Sequence, residues 1–167
     1  TLTNRRGLDA FLRNEFNRAQ RSRNPVSLLL IDVDHFKKYN DQYGHLAGDD
    51  ALRTIARTLS RFGRRPTDLV ARYGGEEFVV VLVNTSLKDA LVFAERMRTR
   101  IEQLGLPHTG SRVSQVVTIS VGVASAEHSN HDATHLIKCA DQALYQAKGA
   151  GRTRVASMIH HGLVVTP

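Results

Sequence analysis

The sequence predicts an α/β sandwich with a mixed β-sheet, and three observations lead there. Val26-Ser27-Leu28-Leu29-Leu30-Ile31 is a continuous apolar run, as a strand buried on both faces requires. Leu69-Val70-Ala71 and Phe78-Val79-Val80-Val81-Leu82-Val83 flank Gly74-Gly75, so residues 69–83 read as a β-hairpin turning at the glycine pair. Stripes of apolar residues at helical spacing separate these strands. Elements arranged this way fold as a sheet layered with helices.

Each element has its own signal. Leu8, Phe11, Leu12, Phe16 and Ala19 form a helical stripe that Asn24-Pro25 breaks. The buried strand over 26–34 follows, then a short helix through His35–Asp41. Gly48-Asp49 opens the next helix, with Leu52, Ile55, Ala56 and Leu59 on one face. After the hairpin, Leu87, Ala90, Leu91, Ala94, Met97 and Ile101 mark a further helix. Val117, Ile119, Val121 and Val123 alternate with Thr118, Ser120 and Gly122 as a strand. A last helix runs from about Ala133 to Lys148, and Val155 begins a closing strand. No internal repeat or low-complexity tract appears.

A chain of 167 residues has room for one core and no second full domain. Its 41% hydrophobic content is ordinary for a soluble globule, and no apolar stretch approaches a membrane span of about 18 residues. Cys139 stands alone, which excludes an intramolecular disulfide and fits a reducing cytoplasm. No signal peptide is visible, and the chain begins with Thr1. The net charge is +7, with Arg5, Arg6, Arg18, Arg21 and Arg23 near the start and Arg61, Arg64 and Arg65 clustered further on. Binders of nucleic-acid polymers stack bases on exposed aromatics, whereas this chain has no Trp and its Phe residues sit in apolar contexts. A nucleotide ligand explains the charge better than a polymer does.

Carboxylates stand where folding alone does not want them. Asp32-Val33-Asp34 ends the buried strand, and Glu76-Glu77 sits at the hairpin tip. Folding alone favours Asn, Asp or Gly at a tight turn. If the two motifs meet, each carboxylate pair at about 4–5 Å costs roughly 3–4 kcal/mol at an effective dielectric of about 20. A divalent cation removes that cost, and hard oxygen ligands select Mg²⁺ or Mn²⁺. A solvated strand end and a charged hairpin tip are the alternatives.

The motifs, taken in order, resemble the GGDEF domain of bacterial diguanylate cyclases, in its Gly-Gly-Glu-Glu-Phe variant. The resemblance rests on Asn4-Arg5-Arg6, on Asp32-Val33-Asp34-His35-Phe36-Lys37-Lys38-Tyr39-Asn40-Asp41, and on Tyr43-Gly44-His45 with Gly48-Asp49. It continues through Gly74-Gly75-Glu76-Glu77-Phe78, Ala143-Leu144-Tyr145-Gln146-Ala147-Lys148 and Gly151-Arg152. It covers residues 1–156 and leaves 157–167 as a C-terminal extension. It implies the palm-like fold of nucleotidyl cyclases, with a central mixed, largely antiparallel sheet flanked by helices. It also implies condensation of two GTP molecules into cyclic di-GMP, a second messenger, with release of pyrophosphate. The family's opening Asp-x-Leu-Thr segment would precede Thr1, so the resemblance further implies a catalytic domain detached from an upstream sensor.

The resemblance carries roles to individual residues. Asp32, the Val33 carbonyl and Glu76 would hold two Mg²⁺ or Mn²⁺ ions, with Asp34 and Glu77 as supporting carboxylates and Glu76 helping to deprotonate the attacking hydroxyl. Phe36 and Lys37 open a helix whose unpaired N–H groups suit phosphate oxygens. Lys37 would stabilise the transition state, a surface lysine being the alternative. Asn40 and Asp49 match the family's guanine readers, and the helix-start charge of Asp49 is its alternative role. His45 lies between them, as a substrate contact or a structural histidine. Lys148 and Arg152, four apart and on one face if the helix continues, would bind the β- and γ-phosphates; capping the helix C-terminus is the other reading. Arg65 and Asp68, with Arg65 nine residues before Gly74, match the family's Arg-x-x-Asp product-inhibition site, against a surface salt bridge. Cys139 and the remaining histidines, His160-His161 included, carry no metal-binding spacing. GTP, cyclic di-GMP and a second copy of the domain are the implied partners. A catalytically silent cyclic di-GMP receptor acting through Arg65 and Asp68, and a cyclase of relaxed base choice, are the competing functions.

Overall fold

In the computed structural model, which describes residues 5–62, 65, 68–126, 133–159 and 162–165, eleven elements follow in order. They are α1 (Arg5–Ser22), β1 (Val26–Val33), α2 (Phe36–Tyr43), α3 (His45–Phe62), β2 (Leu69–Gly74), β3 (Glu77–Val83), α4 (Leu87–Gln103), β4 (Ile119–Ala126), α5 (Ala133–Gly149), β5 (Val155–Ile159) and β6 (Gly162–Val165). Asn4, Arg64, His160 and His161, named above, lie outside the described residues.

The six strands form one sheet in the order β2-β3-β1-β4-β5-β6. Strand β1 is central and antiparallel to both β3 and β4, β2 and β3 form the hairpin, and β5 runs parallel to β4. The sheet is therefore mixed and largely antiparallel. Every residue of β1 is buried, because helices cover both faces. Side chains alternate between those faces. Leu28 and Leu30 pack with Leu8, Leu12 and Phe16 of α1 and with Leu136 and Leu144 of α5. Leu29, Ile31 and Val33 pack with Tyr39 of α2, Leu52 and Ile55 of α3, and Ala94 and Met97 of α4. The same alternation carries Asp32 and Asp34 to the α1/α5 side.

Strand β4 shows why its polar alternation does not mean a solvated face. Residues 119–124 are all buried, since α5 lies against the Ser120 and Gly122 side. The approach is close at Gly122, where an added Cβ would stand 2.2 Å from the Ala140 carbonyl oxygen and 2.3 Å from the Leu144 nitrogen. Glycine is what lets α5 lie on the sheet at this point.

Three boundaries differ from the sequence expectation. Helix α2 runs on to Tyr43, and α3 begins at His45, not at Gly48; Gly44 at φ +89° separates the two helices without a longer loop. The hairpin turns at Gly75-Glu76 and not at Gly74-Gly75, because a register shift between Arg72 and Gly74 inserts a residue into β2. The chain after α5 leaves the helix at Gly149, so Arg152 is not on a continuing helical face. The closing strand does begin at Val155, and it runs on to Ile159, pairing with β6. Among the described residues, no helix is long and apolar enough to cross a membrane.

The Gly122 contact gives a stability test. Gly122→Val should cost about 1–3 kcal/mol by forcing α5 off the sheet, lowering the thermal midpoint by roughly 3–10 °C. A melt indistinguishable from wild type would show that α5 does not need this close approach.

Candidate active site

Strand register brings the two acidic motifs together. Asp32 of β1 pairs directly with Glu77 of β3, and the Val33 amide donates to the Glu76 carbonyl at 3.3 Å. The hairpin tip is fixed from its own strand, since the Arg72 guanidinium donates twice to the Gly75 carbonyl, at 3.0 and 2.7 Å. Burial pushes the Asp32 carboxyl above its ordinary range, opposed by the Lys148 ammonium and reinforced by the charges of Glu76 and Asp34. Burial also raises Glu77, with Asp32, Glu76 and Asp141 adding to the effect and Lys148 opposing it. The repulsion that the sequence could only pose as a question is present.

Two devices hold this cluster. Lys148, in the last turn of α5, donates to Asp32 Oδ2. Asp34, only 2% exposed, accepts from Thr118 Oγ1 at 2.8 Å, Ser120 Oγ at 2.6 Å and the Thr153 amide at 3.1 Å. It is thus a fully engaged carboxylate that fixes the strand end. Thr118, Ser120, Thr153 and Arg72 are site residues that sequence reasoning missed. For the first two the signal was there: two hydroxyls alternate on a strand whose other face is wholly apolar.

Cationic and donor groups gather beside the carboxylates. His35 stands before α2 in the left-handed conformation, φ 52°, and no side chain caps the helix. The first-turn amides of Phe36 and Lys37 are left to an outside acceptor. Phe36 is buried, whereas the Lys37 side chain is exposed. Arg152 is also left-handed, at φ 62°, and its amide donates to the Ala147 carbonyl at 3.0 Å. Its charge, with that of Lys38, reinforces burial in holding the His35 imidazole below its usual range. Arg152 therefore stands in a tight turn within electrostatic range of His35.

Asn40 faces α3 across a gap that exists because residue 48 is glycine. A Cβ on Gly48 would fall 1.8 Å from Asn40 Oδ1, a buried oxygen with no hydrogen-bond partner. An unpaired buried amide oxygen has the character of a group awaiting a donor. Asp49 and His45 are exposed on the first turns of α3. Arg65 and Asp68 close a turn in which the Asp68 amide donates to the Arg65 carbonyl at 3.0 Å; Arg65 is exposed, and burial raises the Asp68 carboxyl. A separate open groove of about 1200 Å³ lies between the end of α3 and α4, lined by Arg61, Arg96 and Arg100 among others.

Residues 1–154 match the family described as diguanylate cyclase, GGDEF domain. The chain belongs to the GGDEF domain family. It is 44% identical over 156 residues to the response regulator PleD of Caulobacter vibrioides, covering 92% of this chain and 34% of PleD. It resembles the structure of the active GGEEF domain of a diguanylate cyclase from Vibrio cholerae, at 38% identity and TM-score 0.84, over 96% of this chain and 99% of that one. It also resembles the GGDEF domain of DgcB from Caulobacter crescentus solved in complex with c-di-GMP, at 30% identity and TM-score 0.85, over 93% and 91%. The chain spans about a third of the length of the curated relatives it matches, 37% and 34% for the first two.

Among the described residues, no three His, Cys, Asp or Glu side chains are grouped as a metal site. The expected ligand set uses two carboxylates, Asp32 and Glu76, with the Val33 carbonyl. Its chemistry fits a hard divalent cation: the donors are oxygens and the local charge is uncompensated except by Lys148.

Gly48→Ala should expel the Asn40 side chain from its place beside α3. A crystal structure of the variant should show Asn40 Oδ1 displaced, and guanine-nucleotide affinity should drop about tenfold. An undisturbed Asn40 with unchanged affinity would contradict this reading of the glycine.

Proposed function

We propose that this chain condenses two GTP molecules into cyclic di-GMP. The observation that carries the reading is the Asp32–Glu77 pairing: it sets Asp32, Val33 and the Glu76 turn together, beside an uncapped helix start and two basic residues. The full-length likeness to an active GGEEF domain supports it.

In each half-reaction the 3′-oxygen of one GTP attacks the α-phosphorus of the other. The bond from that phosphorus to the α–β bridging oxygen breaks, pyrophosphate leaves, and the hydroxyl proton passes to Glu76 or water. Asp32, Glu76 and the Val33 carbonyl would hold two Mg²⁺ or Mn²⁺ ions. When bound, such ions lower the pKa of the hydroxyl and offset the phosphate charge. The Phe36 and Lys37 amides donate to phosphate oxygens, and the Lys37 ammonium stands over the charge that develops. Lys148 and Arg152 would bind the β- and γ-phosphates, Lys148 being free to do so if a cation stood in its place on Asp32. Asn40 and Asp49 read the guanine edge, and His45 borders the base.

Two reciprocal bonds must form, so two domains face each other about a two-fold axis, each supplying one GTP. A partner module upstream would raise their effective concentration. Arg65 and Asp68 bind the product and slow the enzyme, since arginine can grip a guanine O6/N7 edge. The sequence keeps Asp32 and the hairpin carboxylates Glu76 and Glu77, which favours an enzyme over a silent receptor of cyclic di-GMP. Asp49 likewise favours guanine over relaxed base choice.

Incubation with GTP and Mg²⁺, with products identified by mass, tests the reading. Cyclic di-GMP and pyrophosphate should appear, specific activity should climb with enzyme concentration, and a chelator should stop the reaction. Glu76→Gln should lose about a hundredfold or more in turnover while keeping its fold, and Arg65→Ala should keep turnover but lose product inhibition. Failure of the wild type to form cyclic di-GMP at any concentration would overturn the proposal.

A further inference from the structure

Helix α2 carries both substrate-facing parts of the proposed site, the Phe36 and Lys37 amides at its start and Asn40 in its second turn, yet it is only 8 residues long. So short a helix has little stability of its own and takes its orientation from what holds it. The loop between α4 and β4 grips it at both ends.

At the start of the helix, His108 Nε2 lies 3.0 Å from the His35 carbonyl oxygen. A carbonyl can only accept, so Nε2 carries the hydrogen and His108 is the donor. The same carbonyl accepts the Tyr39 amide at 3.1 Å, the first bond of the helix. The His108 ring also stands edge-on to Tyr39, with centroids 5.3 Å apart at 87°. At the other end, Thr109 Oγ1 accepts from Gln42 Nε2 at 2.5 Å, and the Thr109 amide donates to the Tyr43 hydroxyl at 3.2 Å. The loop is itself closed just ahead of β4: the His108 amide donates to the Gln115 carbonyl and the Val117 amide to the Leu106 carbonyl, both at 2.8 Å.

His108 is 1% exposed, and its Nδ1 is buried with no partner. An apolar ring would avoid that cost. Nor is His35 relaxed: a non-glycine residue at φ 52° is held there by its surroundings. The bond between these two histidines joins both costs at one point, the turn that aims the α2 amides.

We propose that His108 is a positioning residue for GTP, which with Thr109 braces α2 so that its first-turn amides and Asn40 face the substrate together. The inference rests on the GTP reading above. The test measures affinity for a non-hydrolysable GTP analogue, turnover, and thermal midpoint in His108→Phe, His108→Gln and Thr109→Val. Phenylalanine keeps the ring and loses the donor, whereas a glutamine amide nitrogen falls where Nε2 does.

His108→Phe should bind the analogue about tenfold more weakly, His108→Gln should stay within about twofold of wild type, and Thr109→Val should lose about threefold, with affinity not following the midpoint. Unchanged affinity in folded His108→Phe, or equal losses in the Phe and Gln variants, would overturn the assignment. If His108→Phe does not fold, unchanged affinity in Thr109→Val, at the exposed end of the brace, does the same. A wild type that binds the analogue but forms no product refutes the proposed activity and leaves the brace to be judged on affinity. A wild type that binds no analogue overturns both.

Discussion

The site depends on one register. Because Val26 pairs with Val83, Asp32 is set opposite Glu77 at the other end of the same two strands. A slip of one residue would turn every side chain of β1 to the opposite face. It would send Leu29 and Ile31 to the α1/α5 side and move the aspartates off the hairpin tip. The apolar pattern that fixes the core therefore also fixes the acidic cluster. Such clustering has a cost, since Asp32 and Glu77 bind protons more readily in the fold than in the unfolded chain. The sign follows from linkage: without a cation, stability falls as pH rises from the ordinary carboxylate range toward the raised values of these two groups.

The rest of the fold offsets that cost and aims what the carboxylates need. Helix α5 lies low enough on Gly122 for Lys148, in its last turn, to reach Asp32. The chain then turns through Gly151, Arg152 and Thr153, all at positive φ, and this tight turn sets the Thr153 amide on Asp34 while bringing Arg152 toward His35. On the other side of β1, His35 makes the matching left-handed turn into α2. Two strained turns thus flank the acidic strand end, each directing cationic or N–H groups toward it. Backbone strain concentrated this way is characteristic of functional sites.

Much of this was legible in the sequence. Long runs with one period, such as Val26–Ile31 and Leu87–Ile101, place strands and helices because burial decides them. The acidic motifs were visible as residues that folding alone does not call for, and the basic pair Lys148 and Arg152 was visible through the family resemblance. What was not legible depended on turn geometry. The Gly-Gly pair gave a hairpin but not its bulge, so the tip moved one residue toward Glu76. Gly44 packed two helices into what read as a helix and a loop. Arg152 would share a helical face with Lys148 if the helix continued, whereas the helix stops at Gly149 and the arginine stands in a left-handed turn. The loop that carries His108 has no period at all. Its contacts with α2 span 66 to 73 residues, and only the fold discloses them.

The fold bears the charge of the carboxylates around Asp32 at a cost, and we propose that they form a cation site. The most direct measurement is the thermal midpoint of the wild type and of Asp32→Asn in chelator and in Mg²⁺, at matched ionic strength. With Mg²⁺ at about a hundred times its dissociation constant, linkage stabilises a single site by about 3 kcal/mol. That raises the wild-type midpoint by roughly 5–10 °C and leaves Asp32→Asn unmoved. A midpoint indifferent to Mg²⁺, or one that shifts equally in both proteins, would contradict the account.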